Sequence, residues 1–73
     1  MPYVNIRVTR EGVTAAQKLA LIEGSTDLLQ RVLGKSPQST FVVIDEVDTD
    51  NWGWGGESVT TLRLREAAGR EGA

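Results

Sequence analysis

An α/β fold made of one short β-α-β unit with parallel strands and a C-terminal hairpin is predicted by three observations. Residues 3–9 alternate apolar and polar side chains, and residues 15–33 repeat apolar side chains at helical spacing. Residues 40–47 form a nearly continuous apolar run, followed by a segment in which glycines alternate with two tryptophans. Two strands joined through one long helix should lie parallel, with a right-handed crossover.

In the first strand Val4, Ile6 and Val8 share one face, while Tyr3, Asn5, Arg7 and Thr9 share the other. Arg10-Glu11-Gly12-Val13 interrupts the alternation. Thr14 is a predicted helix N-cap, and Gln17 three residues later completes a capping box. The helix should end at Gly34. Ala15, Leu19, Ile22, Thr26, Leu29 and Leu33 lie on one stripe, and Leu21, Leu28 and Val32 form a second. A lone helix on a sheet needs a narrower apolar face, so the second stripe predicts a further contact, with another subunit or with the rest of the sheet.

The second strand, residues 40–47, reads as covered on both faces, as parallel strands usually are. Asp48-Thr49-Asp50-Asn51 is a polar turn. The run Trp52-Gly53-Trp54-Gly55-Gly56-Glu57 predicts a short hairpin, because glycines permit positive φ. Residues 58–65 suit strand or helix, with a lean towards a short helix capped by Ser58. Residues 66–73 are expected to form a flexible tail.

The 73 residues form one domain, too small to bury a large core. With no Cys and no His, disulfides and soft-metal sites are excluded, and no metal or other cofactor is expected. Self-association is the remaining source of stability. A net charge of −2 argues against a general nucleic-acid partner, and no apolar run approaches a membrane span. A soluble cytoplasmic protein is the expectation.

The chain begins Met1-Pro2. Initiator Met is ordinarily removed before a small residue, and Pro qualifies. Removal would give Pro2 a free secondary amine at the tip of a strand. Burial would move the pKa of such an amine towards neutrality by disfavouring the ammonium form. Taken alone, Met-Pro equally suits a proline that simply starts a strand.

The β-α-β pattern, the opening Met1-Pro2, the helix-start residues Gln17-Lys18 with Leu21-Ile22, and the closing Trp52-Gly53-Trp54-Gly55-Gly56-Glu57 together resemble the 4-oxalocrotonate tautomerase family. The resemblance spans about residues 2–63. It implies that Pro2 is a general base moving a proton α to a carbonyl, in an apolar pocket completed by neighbouring subunits. It also implies a small enolisable carbonyl acid as substrate and a homo-oligomer, most commonly a hexamer. Trp52 matches the aromatic residue that keeps the pocket dry. Two departures bear on the substrate. Val13 stands where the best-studied members carry an arginine after glycine, and Phe41 stands where they carry a second. A substrate with one carboxylate rather than two is therefore expected. Arg10, three residues before Val13, is the expected carboxylate contact, with Arg7 as a further candidate, and Trp52 and Phe41 complete the expected substrate-binding residues.

Asp45, Glu46, Asp48 and Asp50 form an acidic cluster, read as a solvated turn or as a water-activating acid. Arg63, Arg65 and Arg70 are expected to pair with those acids between subunits. Two alternatives stand beside tautomerisation. One is proline-dependent hydration, dehalogenation or Schiff-base chemistry in the same fold. The other is a non-catalytic oligomeric binding module.

Overall fold

The computed structural model describes residues 1–71. Strand β1 (Tyr3–Thr9) leads into helix α1 (Ala15–Leu33), and the chain returns along strand β2 (Phe41–Val47). A hairpin of two short strands follows, β3 (Gly53–Trp54) and β4 (Glu57–Ser58), and then helix α2 (Val59–Glu71). β1 and β2 pair in parallel, with Val4 opposite Val42, Ile6 opposite Ile44 and Val8 opposite Glu46.

The local signals read from the sequence act as expected. Thr14 accepts from the Gln17 amide at 3.1 Å, and the Gln17 side chain accepts from the Thr14 amide at 2.9 Å, a complete capping box. Gly34 adopts the left-handed conformation at φ 67° and closes the helix by donating to the Gln30 carbonyl at 2.9 Å. The hairpin reverses through Gly55 and Gly56, both at positive φ, which suits the right-handed twist of the paired strands. Ser58 accepts from the Thr61 amide at 3.2 Å and caps α2. Residues 66–71, expected as a tail, instead continue α2; residues 72 and 73 lie outside the described residues.

Val4, Ile6 and Val8 are half-buried on the face of β1 that α1 covers. Glu46 faces the same side and meets Lys18 of α1 at 2.5 Å. The other face of the sheet is open. It presents Tyr3 and Phe41 side by side, then Val43, and then a polar cluster in which Asn5 donates to Asp45 at 2.8 Å and Arg7 approaches Asp45 at 3.6 Å.

Almost nothing in a single chain is fully buried. Val59, at 6 % exposure, is the one buried residue among those described. Leu21, Leu28 and Val32, the second helical stripe, all remain exposed, and Leu21 lies in a shallow apolar groove with Val13, Gln17 and Ala20. The radius of gyration is 16.7 Å, against about 11 Å for a compact chain of this length. The accessible surface is 5416 Å², against roughly 4400 Å² from the size scaling of folded monomers. The chain has an open shape with apolar faces on its helix, its sheet and its hairpin.

Candidate active site

Two chemically distinct regions lie at opposite ends of β1. At its beginning is Pro2, half-buried, whose carbonyl accepts the Phe41 amide at 3.0 Å. This bond extends the parallel ladder by one step and fixes the direction in which Pro2 leaves the sheet. Phe41, 51 % exposed, flanks it on the open face with Tyr3. Met1 precedes Pro2 and is 86 % exposed. With Met1 attached, the Pro2 nitrogen is an amide and has no basicity.

At the other end of β1 lies a groove of about 390 Å³ lined by Val8, Thr9, Trp52, Trp54, Val59, Leu62 and Arg63. Three elements build it: the end of β1, the hairpin and the first turns of α2. Trp52 is held from both sides. Its carbonyl accepts the Val59 amide at 2.8 Å. The Thr60 hydroxyl bonds Thr49 at 2.6 Å and also Asp50, tying α2 to the turn before Trp52. Trp52 is half-buried, whereas Trp54 is 75 % exposed, so the hairpin does not bury both indoles within its own chain.

Arg63 is the one cation lining this groove among the described residues. Its Nε donates to Glu11 at 2.9 Å and its Nη2 to the other Glu11 oxygen at 3.3 Å, a two-pronged contact. Its Nη1 makes longer contacts, 3.3 Å to each carboxylate oxygen of Glu66. The Thr9 hydroxyl also donates to Glu11. Arg63 and Thr9 together hold the Glu11 carboxyl below its ordinary pKa, with Arg63 the larger cause. Glu11 in turn raises the pKa of the Arg63 guanidinium further. From the sequence, Arg63 and Arg65 are expected to pair with the acidic cluster of other subunits. In the chain itself Arg63 meets Glu11 and Glu66, and Arg65 meets Glu57 at 2.9 Å. The side chain of Arg70 lies outside the described residues.

The acidic cluster is engaged elsewhere. Arg10 reaches Asp48 at 2.8 Å and, more loosely, the Glu46 carbonyl at 3.4 Å. Its own amide donates to the Val47 carbonyl at 2.7 Å, so it sits just beyond the paired strands. Arg7 lies on the open sheet face beside Asp45. Glu46 is held below the ordinary glutamate pKa, first by the Lys18 hydrogen bond and then by the charges of Lys18 and Arg10. Asp45, Glu46 and Asp48 therefore each face a cation of β1, α1 or the turn between them.

Of the five residues singled out in the sequence, the fold brings Pro2 and Phe41 together at one end of the sheet. It places Trp52 in the groove at the other end, with Arg10 immediately after the groove residue Thr9. Arg7 belongs to neither region. Seven residue steps separate Pro2 from Thr9, about 23 Å along an extended strand.

Comparison with known proteins agrees with this architecture. The family model described as "Tautomerase enzyme" matches residues 2–62, so the match opens on Pro2. The chain is 65 % identical over 63 residues to a Dickeya dadantii protein named probable tautomerase K2, covering 86 % of this chain and 94 % of the relative. The crystal structure of DmpI from Helicobacter pylori superposes with a TM-score of 0.79 at 51 % identity, over 86 % of this chain and 97 % of that one. A structure from a study of the 4-oxalocrotonate tautomerase isozymes of Methylibium petroleiphilum superposes with a TM-score of 0.75 at 36 % identity, over 84 % and 97 % of the two chains.

Proposed function

The chain belongs to the tautomerase family and is an isomerase of the 4-oxalocrotonate tautomerase type, and on that premise we propose that Pro2, freed of Met1, is the general base of an enol–keto tautomerisation. The observation that supports this most is the division of the site along β1. Pro2 stands at an open strand tip, and an apolar groove with two indoles stands about 23 Å away at the other end of the same strand. One chain cannot bring them together. A second copy can, and the exposed helix stripe, open sheet face and Trp54 are the surfaces through which it would do so.

In this reading the assembly is a homo-oligomer, with the hexamer as the expected form. Trp52 of one copy covers the Pro2 amine of another. Exclusion of water disfavours the ammonium form, so a neutral secondary amine is available near neutral pH. That amine takes the proton of the enol and returns it at the carbon conjugated with it, so the keto acid forms without net change of atoms. Arg10, one residue beyond the groove and paired with Asp48, adds positive charge that draws the carboxylate of a small 2-oxo or 2-hydroxy unsaturated acid towards it. Phe41 stands beside Pro2 where a second cation would be needed for a dicarboxylate, so monoacids are the better substrates.

Hydration or dehalogenation by a water-activating acid has less support, because Asp45, Glu46 and Asp48 each face a cation. Mass spectrometry of the intact protein should show loss of Met1. Pro2→Ala keeps an amine but makes it primary and less constrained, and should slow ketonisation of enol-phenylpyruvate by about 10²-fold. Undiminished turnover in a folded Pro2→Ala protein, or a working enzyme that retains Met1, would exclude the mechanism.

A further inference from the structure

Resting on the reading of Trp52 as a wall of the proline site, we infer that Arg63 binds the ligand carboxylate within the tryptophan groove, and that the ligand is a monocarboxylate with an aromatic or branched aliphatic tail. The composition of the groove is the first reason. Its surface is two indoles, three aliphatic side chains, Thr9 and one guanidinium. A pocket of largely apolar walls with one charged group orients an amphiphilic anion, because the tail leaves water against the walls while the charge meets its partner.

The second reason is how Arg63 is held. Glu11 occupies Nε and Nη2 through a two-pronged contact, and Thr9 steadies Glu11 from behind. The two-pronged contact thus gives the guanidinium a preferred plane before any ligand arrives. Glu11 comes from the turn after β1 and Arg63 from α2, so the contact also staples the two walls of the groove together.

The third reason is what holds the remaining nitrogen. Nη1 has only the two 3.3 Å contacts to Glu66, three residues along the same exposed helical face. An exposed pair of that kind contributes little and exchanges readily. A ligand carboxylate can take the place of Glu66 at Nη1 without disturbing the Glu11 contact. Glu66 is then a built-in competitor for the ligand, and Glu11 is a positioning residue that acts through Arg63. Arg10 and Arg7 are committed to Asp48 and Asp45 and do not line the groove.

Both tryptophans of the chain line the groove, so intrinsic fluorescence reports its occupancy without any turnover. The probes are phenylacetate, a non-reacting monoacid, and its neutral amide. Phenylacetate should change the emission saturably in the oligomeric wild type. Arg63→Ala should weaken phenylacetate by about 10-fold or more, the size expected for a charged hydrogen bond, and leave the amide unchanged. Glu66→Gln should tighten phenylacetate, and Arg10→Ala should cost less than Arg63→Ala. If Arg63→Ala does not fold, Arg63→Gln carries the same comparison with the side-chain length kept. Equal phenylacetate affinity in wild type and Arg63 variants would overturn the inference. So would parallel loss of acid and amide, which would make Arg63 a packing residue, or no binding of either probe. Failure of the base assignment reads differently: Pro2→Ala would keep full turnover while phenylacetate binding still depended on Arg63.

Discussion

Dissociation of this protein should be inseparable from its unfolding, and Leu28→Glu tests that directly. The isolated subunit exposes 5416 Å², about 1000 Å² more than the scaling for a compact monomer of its 7.9 kDa mass. If about 60 % of that surplus is apolar, its exposure costs about 15 kcal/mol per copy at 25 cal/mol per Å². The whole stability of a small domain is only about 5–15 kcal/mol, so a lone folded subunit is not expected to persist. Leu28 sits in the middle of the second helical stripe and is 49 % exposed in the single chain. The half of its surface left for a partner to cover is worth about 1 kcal/mol per copy. Seating a carboxylate at an apolar interface adds a desolvation cost of several kcal/mol more. Leu and Glu have nearly equal helix propensity, so α1 itself is not weakened by the exchange. Sedimentation at micromolar concentration, read beside far-ultraviolet circular dichroism, should show an 8 kDa species without helical signal in the variant, while the wild type stays assembled. A variant that is monomeric yet fully helical, with a cooperative melt, would refute the surface argument. An intact oligomer would show that the stripe does not lie in the interface.

Two further outcomes follow from the same structure. Trp52→Ala should admit water to the amine and raise the apparent pKa of the activity–pH profile, since the ammonium form would regain hydration; an unmoved profile would reduce Trp52 to an interface filler. The Lys18–Glu46 pair depresses the Glu46 pKa, so its stabilisation is full above the ordinary glutamate value of about 4.3 and is lost as pH falls through the depressed folded value. The urea midpoint of Lys18→Gln should therefore lie below wild type at pH 7, with the gap closing below about pH 4; a gap that stays constant down to pH 3 would separate the stability from this titration.

Much of this arrangement was legible from short-range patterns. Thr14 with Gln17 fixed where α1 starts, and Gly34 where it stops, because caps are local chemistry. The twin glycines 55 and 56 predicted the hairpin for the same reason. The second stripe of α1 predicts a further contact, and in the single chain it is exposed, as are Leu19, Ile22 and Leu33 of the first stripe. What escaped was of two kinds. The first is the length of α2: a tail is expected from residue 66, although Ala67 and Ala68 favour helix and the Arg63–Glu66 pair reinforces it. The Arg63–Glu11 contact joins residues 52 positions apart, and only the packing of the end of β1 against α2 makes them neighbours. No spacing rule points to such a pair. The same holds for Arg10, whose engagement with Asp48 depends on the parallel strands ending side by side.

The separation of Pro2 from the groove along a single strand also has a consequence for symmetry. On the proposed reading each chain offers one Pro2 amine and one tryptophan groove, and neither is complete alone. An open row of copies joined head to tail would leave a proline idle at one end and a groove empty at the other. An assembly closed on itself leaves no such remnants, so every chain contributes to two complete sites and none is wasted. If Pro2 works in the groove of a neighbouring copy, catalytic yield per chain rewards closure of the assembly, over and above any gain in stability. The arrangement of subunits becomes a trait on which selection for activity can act without altering a single atom of the reacting centre.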